Sequence, residues 1–172
     1  MKRIFCTICL LAVCFGFAYA QEKTDAEKMK NDRITNMQLN LKLTPQEAKL
    51  FWPAYRQFLD NEIKYHEAYR KNLEKRGIVL KEPGKNKEMI EKLSDKDLSY
   101  LQDQKFELRK NMHNLELSFY KKVKTLLTPH HIQNFYNIDE KYKRDMISKR
   151  KAEAEKKKAE GPSPVNPGVK RR

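Results

Sequence analysis

Apolar residues recur along this chain at three- and four-residue steps, and no alternating run is long enough to suggest a strand. The clearest stripe carries Ala48, Phe51, Trp52, Tyr55, Phe58, Leu59, Ile63, Tyr69 and Leu73. It predicts a long amphipathic helix running to about Leu73. Its start is marked at Leu43-Thr44-Pro45-Gln46-Glu47. Thr44 suits an N-cap, Pro45 the first helical position, and Glu47 completes a T-x-x-E capping box. Pro53 removes one backbone donor inside the helix and is expected to bend it without ending it, because the stripe continues in phase.

Three further helices follow from the same reasoning. Thr24 with Glu27 opens a first helix whose stripe of Met29, Ile34, Met37 and Leu41 is weak enough to need docking against the others. Ser94 with Asp97 opens a third, striped with Leu98, Leu101, Leu108, Met112, Leu115, Phe119, Val123 and Leu126. A second Leu-Thr-Pro, Leu127-Thr128-Pro129, ends that helix and opens a fourth carrying Ile132, Phe135, Tyr136, Tyr142 and Met146. Between Glu74 and Leu93 the periodicity breaks. There Gly77 suits a helix C-terminus, Lys81 to Lys85 reads as an exposed turn, and Lys85 to Leu93 has room for one or two loose helical turns. The expected fold is all-α, with four long helices arranged in hairpins.

The ends of the chain read differently. Lys2 and Arg3, an apolar run from Ile4 to Phe17, and Ala18-Tyr19-Ala20 make residues 1–20 an expected secretory signal peptide, with Gln21 as the mature N-terminus. The organisation that follows is a helical domain over 21–148, a charged helical extension over 149–160, and a disordered basic tail over 161–172. Cys6, Cys9 and Cys14, the three cysteines, all lie in the leader. The mature chain is therefore expected to fold by packing alone, without thiol chemistry or disulfides.

Charge narrows the partners. The formal net charge is +14, and Lys149 to Arg172 hold nine basic against three acidic residues. Such a balance favours anionic partners, which outside the cytoplasm means acidic polypeptides or lipid headgroups and not nucleic acid. Weak membrane-surface contact through the basic tail is one expectation.

Four helices behind an export signal, with Leu-Thr-Pro opening the second and fourth, resemble the Spy/CpxP family of periplasmic proteins with two L-T-x-x-Q motifs. Leu43, Thr44, Leu127 and Thr128 match the first two positions of each motif. Glu47 and His131 stand where the family has glutamine. The resemblance spans roughly Thr24 to Met146. It implies an elongated, cradle-like antiparallel homodimer acting as an ATP-independent chaperone, or as an adaptor or inhibitor for an envelope-stress sensor or anti-sigma system.

Candidate client-binding residues are a basic strip, Lys49, Arg56, Lys64, Arg70 and Lys71, with Tyr65 and Tyr69 beside it. Solvated flanking charge and helix core are the plain alternatives for the same residues. The sharper reading is a positive rim beside an apolar patch, which would gather acidic, partly unfolded chains and then hold them by weak apolar contact. His66, His113, His130 and His131 include no His-x-x-x-His pair, so no metal site is expected. There is no G-x-S-x-G and no Gly-rich phosphate loop among only five glycines. No catalytic residue and no cofactor is expected, and the chain is not read as an enzyme.

Overall fold

A computed structural model describes residues 25–80 and 86–159, with side chains described as far as 156. The expected leader, the Thr24 cap, the turn at Lys81 to Lys85 and the tail over 161–172 lie outside the described residues. The described chain is all-α: α1 (25–40), α2 (Pro45–Glu74), α3 (Lys87–Glu91), α4 (Asp95–Val123) and α5 (Pro129–Ala159). α3 is a five-residue helix within the stretch of broken periodicity, and it adds a fifth element to the four expected.

The helix starts are built as their residues require. Thr44 Oγ1 accepts from the Glu47 amide at 3.3 Å, and Glu47 returns the bond to the Thr44 amide at 3.0 Å. Ser94 Oγ likewise accepts from the Asp97 amide. α2 runs unbroken through Pro53. It closes on a Schellman-type pair of bonds, Ile78 N to Leu73 O and Gly77 N to Glu74 O. That closure places Gly77 at φ +73°, where a side chain would strain the backbone.

α2 and α4 run past one another in opposite directions and bury two separate cores. One joins the first half of α2 to the end of α4, and α1 and α5 close over it. Phe51, Tyr55, Phe58, Phe119 and Phe135 form its centre, with Phe58 stacked on Phe119 at 4.5 Å between ring centroids. Ile34, Met37 and Leu41 dock α1 onto the same cluster, which is how a weak stripe becomes a stable helix. The other core lies at the opposite end of the pair. It is built from Leu73, Ile78 and Leu101, with Tyr69, Leu93 and Tyr100 packed around them. Beside this far core, Asn72 Nδ2 on α2 donates to Gln104 Oε1 on α4 at 3.0 Å.

Charge is also buried. Arg33 on α1 grips Asp139 on α5 through Nε at 2.8 Å and Nη2 at 2.7 Å, and reaches Glu62 on α2 at 2.7 Å. Asp139 is the buried charged residue of the described chain, and Lys143 also meets it at 2.9 Å. A bidentate pair of this kind fixes how three helices are rotated against each other more than it adds stability. The Tyr55 hydroxyl lies in the field of this cluster, fully buried and without a hydrogen bond. Burial pushes its phenol well above the ordinary value.

Candidate functional site

Two places bring sequence-singled residues together. The first is the junction of the two Leu-Thr-Pro starts. Glu47 and His131 occupy equivalent positions 84 residues apart, and His131 Nδ1 lies 2.8 Å from Glu47 Oε1. The other partners of Glu47 are the Thr44 amide and hydroxyl and, at 3.4 Å, the Thr128 amide. Thr128 Oγ1 caps α5 by accepting from the His131 amide. An imidazole at this position does not return the bond to Thr128, so the α2 carboxylate does so from across the interface. One acid thus serves two helix N-termini, where negative charge is favoured. The bond with His131, then that with the Thr44 amide, hold the Glu47 carboxyl down to about 2. Leu127 is buried and Leu43 packs on the same aromatic core, anchoring both starts.

The second place is a groove of about 850 Å³ along the far half of α2, walled by the beginning of α1 and the far part of α5. Leu59 and Ile63 line it from α2, Met29 from α1, and Met146 and Ile147 from α5. It exists because α1 begins and α5 continues beyond the aromatic core, where among the described residues nothing further covers that face of α2. Met29 is 38% exposed and Ile147 is 56% exposed, so this apolar lining is open to solvent. Six cationic side chains and three carboxylates line it, and Glu27, Asp60 and Asp139 pair with Lys30, Arg33 and Lys143 from just outside.

Of the candidate binding residues, Arg70 and Lys71 line the groove. Lys49, Arg56 and Lys64 are exposed and lie outside it, so the basic strip is not one continuous wall. Tyr65 is exposed beyond the groove, and Tyr69 is half-buried against the far core. Sequence reasoning did not single out Met29, Met146, Ile147 and Arg150 for binding. The usable signal was that Met146 and Ile147 fall on α5 beyond the last residue of the aromatic core.

Among the described residues there is no group of three or more His, Cys, Asp or Glu side chains placed to hold a metal ion. Among them also, no helix is long and apolar enough to cross a membrane. No protein-family model matches the chain, and no curated protein or solved structure matches it either.

Proposed function

We propose that this chain is a periplasmic, ATP-independent holdase of the Spy/CpxP kind, working as an antiparallel homodimer with a cradle-like surface that retains non-native polypeptides. The observation that carries the reading is the open groove, with apolar lining within reach of solvent and cationic side chains, Arg150 above all, along its edge. Isolated exposed apolar side chains are ordinary on protein surfaces, but a contiguous set rimmed by charge marks a binding surface. Encounter would be led by the cations and followed by shallow apolar contact, so capture should slow as salt rises.

The deciding experiment is suppression of aggregation of two unrelated clients by the purified protein without nucleotide. Protection of both is expected. Protection of neither, with capture of one envelope protein in pull-down, would replace the holdase by an adaptor for a stress sensor. The groove's three walls favour that second reading, since a bounded trough suits a defined segment better than an open plate does. Contact of the basic end of the chain with membranes is tested by vesicle association before and after deletion of Lys149 to Arg172.

A further inference from the structure

We propose that the groove between α1, α2 and α5 receives one amphipathic α-helix of a partner protein, its carboxylates lying along the α5 edge against Arg150. The inference rests on the reading above in that both use this groove. It adds the shape and the charge of the occupant.

Shape comes first. The α2 wall from Leu59 to Glu74 is about 22 Å long at ~1.5 Å per residue, the length of a helix of four turns. A volume of about 850 Å³ admits the side chains of one helix face and leaves the other face in water. The lining suits that face. Ile63 and Ile147 are branched and stiff, while Met29 and Met146 are flexible, polarisable thioethers that adjust to whatever apolar residues arrive. An apolar trough between helices is the usual receptor for residues spaced i, i+3, i+4 and i+7.

Charge then selects among occupants. On the α1 side, Lys30 is paired with Glu27 and Asp60, and Arg33 with Asp139 and Glu62. On the α2 edge, Glu67 with Lys71 and Arg70 with Glu74 stand one turn apart and offset each other. The α5 edge differs. Lys143 is held by Asp139, but the Arg150 guanidinium donates to the Met29 sulfur at 3.0 Å, a weak acceptor for a full positive charge. A carboxylate arriving there would exchange a thioether for a charge-assisted bond. A cation waiting at that edge also disfavours the basic ends of this chain as occupants. The leader begins with Lys2 and Arg3, and the end from Lys149 holds nine basic against three acidic residues.

The test is fluorescence anisotropy with labelled synthetic helices of about sixteen residues, matched to the wall by ~1.5 Å per residue. One carries Glu along one edge of an apolar face, the second carries Lys in those places, and the third is a scramble of the first. The acid-edged peptide is expected to bind at least about tenfold more tightly than the Lys-edged one, and the scramble not at all. Arg150→Glu should invert the order of the charged pair. Ile147→Glu should remove binding of both, while Phe106→Glu, exposed on α4 outside the groove, should leave it unchanged. Equal binding of all three peptides, or survival of binding in Ile147→Glu, overturns the proposal. Should Ile147→Glu lower the melting temperature, a photo-crosslinker on the apolar face of the peptide replaces it. Coupling to Ile63 or Met146 supports the proposal, and coupling to α4 overturns it. Self-association abolished by Ile147→Glu would make a second copy the occupant and overturn it as well. A protein that protects clients yet ignores the acid-edged peptide loses this inference alone. One that binds the peptide yet protects no client loses the holdase reading alone.

Discussion

The two cores of this molecule are made from the same two helices and differ in how many neighbours cover them. At the aromatic end, α1 and α5 close over α2 and α4, and five rings interlock with Ile34, Met37, Leu127 and Val123 around them. At the far end, α2 and α4 are joined by the loop residues Ile78 and Leu80 and by α3, and three side chains are fully covered. Polar ties assist there: Tyr100 donates to the Asn72 carbonyl at 3.2 Å, and Arg76 lies 4.3 Å above the Tyr100 ring. A helix is only as stable as the face it buries, so one continuous α2 has a firm half and a lightly held half. The groove lies alongside the lightly held half.

Truncation should expose that difference most strongly at Phe51. Phe51→Ala removes a ring with four aromatic neighbours, Trp52 among them, and is expected to cost about 3–5 kcal/mol, lowering hydrogen-exchange protection everywhere. Leu101→Ala should cost about 2 kcal/mol, at the low end for a buried leucine because the far core can collapse into the space. Its loss of protection should be confined to residues near Leu73 and Ile78. If protection falls equally around Phe51, the two cores are one cooperative unit and the contrast fails.

Glu47→Ala comes next, at about 1–2 kcal/mol by denaturant midpoint, the scale of a lost cap. Its pH dependence follows from the carboxyl held down to about 2 in the folded chain, against about 4.3 for an unfolded glutamate. As pH falls, the unfolded chain takes up the proton first, so this contribution is complete above the unfolded value and is lost on the way down to about 2. The melting temperatures of the natural chain and Glu47→Gln should therefore converge between pH ~4.5 and ~2. Parallel curves would show that Glu47 does not act as a charged cap. The smallest effect is at Tyr55, whose hydroxyl is buried without a partner. Tyr55→Phe is expected to leave stability unchanged or raise it by up to about 1 kcal/mol. A fall in midpoint would show that the hydroxyl is in use, through the neighbouring Arg33 or a bridging water.

Much of the helical layout was legible because it is local. Thr44 with Glu47, Ser94 with Asp97, and Gly77 each act within one turn, and the α2 and α4 stripes state which face is covered. The short α3 was legible only as one or two loose turns somewhere in Lys85 to Leu93, since five residues hold too little periodicity to fix its bounds. The long-range polar contacts left fainter traces. Arg33 sits on the line from Met29 to Met37, and Asp139 one turn beyond Phe135. Each is thus a charge on an apolar stripe, and the two are of opposite sign. Glu47 and His131, acid and imidazole at equivalent places in the two starts, were a similar pair. The groove was the hardest to read, because it depends on where α1 and α5 part from α2, a matter of register between elements distant in sequence.

The carboxylate shared between α2 and α5 has a consequence for the growing polypeptide. Glu47 is synthesised early, whereas the amide of Thr128 and the ring of His131 arrive 81 and 84 residues later, with Phe135 close behind. Until then the aromatic layer has an open side, and any chain interrupted short of that point carries unsealed rings. Completion near the C-terminal end, and not assembly from the front, is what locks this protein shut.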